Sequence, residues 1–128
     1  MSLTAETPDT RVLPDVDPLC LIDATGKAVA TKHRRGFDLP DIETLKALYR
    51  RMVIARRWDT QVTALTRQGR LSTYPSARGQ EATEIGTVMA MQEDDWLFPT
   101  YRDSIAVWTR GVPTSEILSG FRGDWHCC

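Results

Sequence analysis

Residues 40–69 read PDIETLKALYRRMVIARRWDTQVTALTRQG, and they carry the strongest structural signal in the sequence. Its apolar side chains recur at intervals of three and four residues, which places them on one face of an α-helix. Pro40 suits the first helical turn, and Gly69 suits the C-terminal stop. We therefore predict one long amphipathic helix, whose apolar stripe consists of Leu45, Leu48, Met52, Ala55, Trp58, Val62 and Leu65.

The same helix carries five arginines that lie mostly off the stripe, namely Arg50, Arg51, Arg56, Arg57 and Arg67. Over the whole chain, 16 basic residues are balanced by 17 acidic ones, and the net charge is -1. Such a balance creates no general field that would attract nucleic acid. We interpret the arginines as a solvated or salt-bridged face, and a helix that binds nucleic acid remains the alternative.

A second helix is predicted over about residues 80–91, with Ala82, Ile85, Gly86 and Met89 on one face. Gly86 would allow a neighbouring helix to approach closely. This helix follows the break at residues 71–75, where Pro75 interrupts regular structure.

Two further helices are predicted near the end of the chain. The first runs from Tyr101 to Arg110, and the second begins near Thr114, which can act as its N-cap. Gly123 suits the end of the last helix. The chain after residue 39 is therefore expected to be mainly helical.

The region before the long helix has a different composition. Residues 1–20 carry prolines among Thr and Asp, which cannot bury enough surface to offset the entropy of ordering, so we expect a loose arm. Leu19–Ile22 is predicted to be a short extended run that enters a turn at residues 23–27. His33 is expected to be exposed in a loop.

The composition is that of a soluble globular domain, with 41% hydrophobic and 26% charged residues among 128. The N-terminus lacks a basic segment followed by an apolar one, and no stretch reaches the roughly 18 apolar residues of a membrane span. A cytoplasmic protein without a membrane partner is expected. Cys20, Cys127 and Cys128 suit reduced thiols, and His126 lacks the second ligand cluster that structural zinc needs.

The segment Phe98–Asp103 places a phenol and a guanidinium side by side, at Tyr101 and Arg102, where an irregular run enters the third predicted helix. Helix N-termini present free N–H groups, and arginine adds a permanently charged fork of donors that matches phosphate oxygens. The pattern therefore suggests an anion site. A surface or salt-bridging arginine is the alternative that spacing alone leaves open.

Four short motifs together point to a known family. They are Gln68–Leu71, Arg78–Ala82, Asp95–Arg102 and Thr109–Pro113. In order and spacing they resemble the α subunit of the thiamine-diphosphate-dependent pyruvate and branched-chain 2-oxoacid dehydrogenases, over about residues 37–125. The resemblance implies an enzyme subunit for oxidative decarboxylation of a 2-oxoacid with acyl transfer to a lipoyl group, and we favour a branched-chain substrate over pyruvate.

The resemblance also implies a cofactor site for thiamine diphosphate and Mg²⁺. Arg102 would contact the diphosphate, Tyr101 would help to position it, and Thr100 would line the same site. The family's catalytic glutamate belongs to the β subunit, and its metal-binding motif is not in this sequence, so we predict neither a catalytic residue nor a metal ligand here. Gln80 and Glu81 lie in a turn that opens a helix, with a structural role favoured over loop or substrate positioning.

The implied parent subunit has an α/β thiamine-diphosphate-binding fold, of which this mainly α-helical chain would be a truncated N-terminal part. We predict an N-terminal arm at 1–38 and the helical part of the cofactor-binding domain at 39–128. Without the rest of that domain, the apolar stripe is expected to be exposed. The implied partners are a β subunit, in an α2β2 assembly, and a lipoyl-bearing transacylase core. The alternative is a non-catalytic helical interaction module or relic that retains only subunit contacts.

Overall fold

A 26-residue helix, α1, spans Ile42–Arg67 and dominates the computed structural model, which describes residues 19–123. Asp41 is its N-cap, and one carboxylate oxygen accepts hydrogen bonds from the backbone N–H groups of Glu43 and Thr44. Pro40 therefore precedes the cap and is not in the first turn as predicted. At the other end, Gly69 follows the last turn with a φ of 70°, which confirms the predicted stop.

Three shorter helices follow within the described residues: α2 at Glu81–Ala90, α3 at Ser104–Thr109 and α4 at Thr114–Arg122. Helix α2 packs against α1 and α3, and α3 packs against α4. Between residues 19 and 123 no strand forms, and the only extended pairing is an isolated antiparallel bridge between Ile22 and Ala28. The prediction of a mainly helical segment is confirmed.

The apolar stripe of α1 faces the core as predicted, because each of its seven residues is buried or half-buried. The centre of the core consists of Ala55, Ala77, Ile85 and Ile105, against which Leu48, Met52 and Trp108 pack. The expectation of an exposed stripe is wrong, since α2, α3 and the segment after α1 cover it. Exposed apolar side chains lie elsewhere on the helix, at Ile42, Tyr49, Val53 and Ile54.

The predicted apolar face of α2 is only partly correct: Ile85 is buried as expected. Ala82 and Met89 are exposed, while the buried face consists of Glu81, Glu84, Ile85 and Val88. The two glutamates point inward because each accepts a backbone hydrogen bond there. Gly86 is not required for close packing either, because a Cβ atom added to it would meet no atom within 4 Å.

Helices α3 and α4 differ from the predictions at their starts. Helix α3 begins at Ser104, three residues later than predicted, because residues 100–103 form a separate turn. Thr114 is the first residue of α4 and Pro113 occupies the cap position, without a side-chain hydrogen bond, so Thr114 is not the cap. Gly123 ends α4 in the left-handed conformation, at a φ of 74°, as predicted.

The chain divides into two units, residues 1–40 and 41–128. In the described part of the first unit, the extended run into a turn is confirmed: Asp23 accepts hydrogen bonds from the backbone of Thr25 and Lys27, and Gly26 has a φ of 83°. His33 is exposed as expected, although it ends a 3-10 turn, Thr31–His33, and is not in a loop.

Several sequence-based expectations concern residues outside 19–123. The loose arm falls mostly there, and so do His126, Cys127 and Cys128. Cys20 is exposed, and its thiol forms no disulfide. Across residues 19–123, no helix combines the length and apolar character that crossing a bilayer requires.

Candidate functional site

The tyrosine–arginine pair lies on a closed turn between α2 and α3. One carboxylate oxygen of Asp103 accepts hydrogen bonds from the backbone N–H of Thr100, at 2.7 Å, and from its hydroxyl, at 2.8 Å. The backbone N–H of Asp103 donates to the Thr100 carbonyl at 3.1 Å. Tyr101 and Arg102 thus occupy the middle of this turn. They precede a helix of only six residues, so the helix-terminus argument for anion binding does not apply to them.

Arg102 is half-buried and is held from two sides. Its Nη1 donates a hydrogen bond to the carbonyl oxygen of Ser76 at 2.7 Å, and its Cζ lies 5.4 Å from the centre of the Tyr101 ring. Among residues 19–123, no carboxylate lies within 4.0 Å of its guanidinium. The remaining N–H donors of the fork and the full positive charge are therefore available to an anion.

Tyr101 is 73% exposed and forms part of the wall of an open groove of about 450 Å³. Thr100 lines the same groove, which runs between α3 and α4 along mainly apolar side chains such as Val107, Ile117 and Phe121. Arg102 is not among the lining residues. The three predicted site residues are thus consecutive on one turn, with Thr100 and Tyr101 facing the groove.

A buried aspartate that sequence analysis did not single out binds the segment to which Arg102 donates its hydrogen bond. Asp59, on α1, is 2% exposed. Its carboxylate accepts hydrogen bonds from the Tyr74 hydroxyl at 2.8 Å, from the Ser76 hydroxyl at 2.9 and 3.0 Å, and from the Ala77 backbone N–H at 3.0 Å. Burial, followed by the hydrogen bond to Asp59, raises the pKa of Tyr74. Asp59 therefore holds residues 74–77 against α1.

The position of Asp59 carried a signal in the sequence. It lies four residues after Ala55 and three before Val62, both of which belong to the apolar stripe. A charged residue at that spacing is directed into the core, where it needs hydrogen-bond partners. The downstream Tyr74 and Ser76 supply them, and no local pattern identifies those residues in advance.

Glu81 forms a second buried anchor where the Gly79–Glu81 turn opens α2. Its Oε2 accepts a hydrogen bond from the backbone N–H of Gly79 at 2.9 Å, and its Oε1 accepts one from Nε of Arg56. The contact with Arg56, more than any other, lowers the pKa of Glu81 to about 2. Gln80 is exposed and caps nothing with its side chain. Glu81 is thus an ionised structural residue at neutral pH.

Glu84 is buried one turn later on α2. Its Oε2 accepts a hydrogen bond from the backbone N–H of Ala106, in the first turn of α3, at 2.9 Å. Its Oε1 is buried and has no partner in the structure. Burial raises the pKa of this carboxyl group, and the nearby Asp103 adds to the effect. Glu84 therefore provides the acceptor for one backbone N–H in the first turn of α3, and its other carboxylate oxygen has no hydrogen-bond partner.

Comparison with known proteins identifies relatives of the chain. A family model described as "Dehydrogenase E1 component" matches residues 49–126. The chain is 40% identical over 114 residues to the 3-methyl-2-oxobutanoate dehydrogenase subunit alpha of Mycobacterium tuberculosis (strain ATCC 25618 / H37Rv), an alignment that covers 88% of this chain and 30% of that subunit.

Pyruvate dehydrogenase E1 component α subunits are also similar. The protein of Bacillus subtilis (strain 168) is 39% identical over 90 residues, which cover 69% of this chain and 24% of that subunit. The protein of Staphylococcus aureus (strain COL) is 38% identical over 88 residues, with the same coverage of each. The chain spans less than a third of the length of these curated relatives. The matched model covers most of the chain, and the chain therefore belongs to the dehydrogenase E1 component family.

Proposed function

We propose that the chain supplies the α-subunit side of a thiamine diphosphate site in a 2-oxoacid dehydrogenase, with Arg102 contacting the diphosphate. One observation carries the proposal: Arg102 is half-buried, yet within residues 19–123 no carboxylate neutralises it. A desolvated positive charge is unfavourable unless an anion accompanies it. A diphosphate would provide that anion, and the guanidinium fork matches its oxygens.

The neighbouring residues fit supporting roles. Tyr101 would hold the guanidinium through its ring face and present its exposed hydroxyl to the cofactor. The hydroxyl proton of Thr100 is directed to Asp103, so its oxygen could only accept a hydrogen bond from the cofactor. No cluster suited to a metal ion occurs in residues 19–123, so the ligands of Mg²⁺ would come from elsewhere in the assembly.

The described residues would bind and orient the cofactor and leave proton transfer to other groups. Bound thiamine diphosphate supplies the electron sink that decarboxylation of a 2-oxoacid requires. Glu81 is ionised and paired with Arg56, so it holds no proton to donate at neutral pH. Glu81 is therefore not a proton donor, and the catalytic glutamate would come from a β subunit, as the resemblance implies.

We infer a branched-chain 2-oxoacid as substrate, with pyruvate as the second choice. The longer alignment with the 3-methyl-2-oxobutanoate dehydrogenase subunit supports this order. The proposed setting is a cytoplasmic α2β2 assembly that passes the acyl group to the lipoyl group of a transacylase core. In this proposal residues 1–38 form an arm and residues 39–128 belong to the cofactor-binding domain.

Substitution of Arg102 tests the proposed function. The α subunit that carries these residues is assembled with its β subunit, and thiamine diphosphate binding is measured by calorimetry in the presence of Mg²⁺. We expect Arg102→Ala to raise the Kd about ten-fold or more, because a charge-assisted contact with the diphosphate is lost. The Kd of Arg102→Lys should lie between those of the wild-type protein and Arg102→Ala, since lysine keeps the positive charge and lacks the forked pair of donors.

Arg67→Ala is the matched control, because it removes an exposed arginine from the last turn of α1 and leaves the sequence of the 100–103 turn unchanged. It should leave the cofactor Kd unchanged. If Arg102→Ala binds the cofactor as tightly as this control, Arg102 is not part of the site.

A second candidate function is a non-catalytic interaction module. The observation in its favour is the set of exposed apolar side chains at Ile42, Tyr49 and Val53, which lie on one face of α1, because such side chains often mark contact surfaces. Under this alternative, the chain would form a complex with a β subunit, and Arg102→Ala would change neither that complex nor its cofactor affinity.

A further inference from the structure

One backbone peptide group connects the buried aspartate to the arginine of the proposed site. Ser76 contributes the carbonyl of this peptide and Ala77 contributes its N–H. Nη1 of Arg102 donates to the carbonyl at 2.7 Å, and the Asp59 carboxylate accepts from the N–H at 3.0 Å. The two charged side chains thus hold opposite edges of a single planar group.

The carboxylate fixes this peptide at more than one point. The Ser76 hydroxyl donates to both oxygens of Asp59, at 2.9 and 3.0 Å, beside the bond from Ala77. Because α1 is a long and regular helix, it provides Asp59 with a rigid base. The carbonyl that receives Arg102 therefore has a fixed place and direction.

The arrangement also strengthens the bond to Arg102. A carboxylate that accepts from a peptide N–H polarises that peptide and makes its carbonyl oxygen a better acceptor, and buried hydrogen bonds in series reinforce one another. Asp59 is 2% exposed, so water screens this effect little. The negative charge of Asp59 acts on the Arg102 guanidinium through the peptide group. The carboxylate itself makes no direct contact with the guanidinium.

We propose that Asp59 is a positioning residue for the cofactor site, which acts on Arg102 through the Ser76–Ala77 peptide. This inference rests on the proposed function, in which Arg102 contacts the diphosphate. It differs from a purely structural role because it requires the effect of Asp59 on cofactor binding to pass through Arg102.

A double-mutant cycle tests this dependence. Thiamine diphosphate Kd values are measured by calorimetry for Asp59→Ala, Arg102→Ala and the double variant, each in the assembled α and β subunits with Mg²⁺. Residues coupled through one hydrogen-bond network do not contribute additively, so we expect Asp59→Ala to raise the Kd about five-fold beside an intact Arg102 and less than about two-fold beside Arg102→Ala.

Tyr74→Phe is the matched control. It removes a hydrogen bond to the same carboxylate and leaves the bonds from Ser76 and Ala77 in place. It should lower the midpoint of thermal unfolding and change the cofactor Kd less than about two-fold.

Asp59→Asn is the second aspartate variant, in case Asp59→Ala does not fold. It keeps an oxygen for the Ala77 N–H and removes the charge. Its effect on the cofactor Kd should be smaller than that of Asp59→Ala and should likewise vanish beside Arg102→Ala.

Equal effects of the aspartate substitutions with and without Arg102 would overturn the inference, and so would a Kd change in Tyr74→Phe as large as that in Asp59→Ala. If Arg102→Ala itself leaves the Kd unchanged, the proposed function fails. The role of Asp59 in the cofactor site then fails with it, and the separate claim that Asp59 positions Arg102 is tested by NMR of the Arg102 guanidinium N–H groups, whose resonances must shift in Asp59→Asn and stay in place in Tyr74→Phe.

Discussion

Glu81 and Glu84 lie one turn apart on α2, and both side chains are buried, yet their pKa values move in opposite directions. Glu81 accepts from Arg56 and from the Gly79 backbone, so each oxygen has a partner. Glu84 accepts from the Ala106 backbone through its Oε2, and its Oε1 is unpaired. The comparison shows that the partners of a buried carboxyl group decide its ionisation, and burial alone does not.

Of the substitutions at these two glutamates, Glu81→Ala is expected to change the free energy of unfolding most. The substitution leaves the Gly79 N–H and the Arg56 side chain without their acceptor, and we expect a loss of about 1 to 3 kcal/mol in the free energy of unfolding at neutral pH. The measurement is urea denaturation followed by far-UV circular dichroism.

Glu43→Ala is the matched control, because it removes an exposed glutamate that pairs with Lys46 on the surface of α1. Its effect should stay below about 0.5 kcal/mol. Equal effects of the two alanine substitutions would mean that burial of Glu81 adds nothing to stability.

A smaller effect is expected in the acid range. The folded-state pKa of Glu81 is lowered from 4.5 to about 2, so its stabilising contribution is complete above the unfolded value and is lost as the pH falls from 4.5 toward 2. Glu81→Gln should flatten this part of the curve of unfolding free energy against pH. Urea midpoints measured at intervals across that range check the prediction, and an unchanged slope in the variant would contradict it.

The smallest effect is expected from Glu84→Gln. The folded-state pKa of Glu84 is raised above 4.5, so the wild-type protein loses stability as the pH rises from 4.5 through that folded value. Glutamine keeps an oxygen for the Ala106 N–H and never ionises. We expect the variant to match the wild-type protein at pH 4 and to exceed it by up to about 1 kcal/mol at pH 7. A clear loss at pH 7 would show that the ionised form of Glu84 is stabilising.

The long helix was predictable from the sequence because its signal is periodic and extends over many turns. Gly69 marks the end of the pattern and the apolar stripe identifies the inward face, whereas the helix starts after the Asp41 cap and not at Pro40. The buried face of α2 was not predictable in this way. Glu81 and Glu84 occupy it through partners on α1, in the preceding turn and on α3, and a hydrophobic pattern assigns both residues to solvent.

The sequence proposes the residues of the candidate site, and their geometry could not be predicted from it. Tyr101 and Arg102 stand out as a pair, and their motif resembles one in a known family. The two residues lie on a turn before α3 because Thr100 donates hydrogen bonds to the Asp103 carboxylate. These bonds stabilise the turn in place of an earlier helix start. The spacing of Asp59 places it on the inward face of α1, but its partners cannot be predicted from a local pattern because they lie 15 to 18 residues away in the sequence.

The hydrogen bond between Arg102 and the Ser76 carbonyl bears on the rate and the affinity with which the proposed site would bind an anion. A free arginine side chain samples many rotamers, and fixing it on binding costs about 2 kcal/mol of conformational entropy. In this protein the side chain is already restrained by the Ser76 carbonyl and the Tyr101 ring before any anion arrives. Much of that ordering has therefore taken place during folding, and in the proposed site an incoming phosphate would meet a donor whose side chain is already restrained.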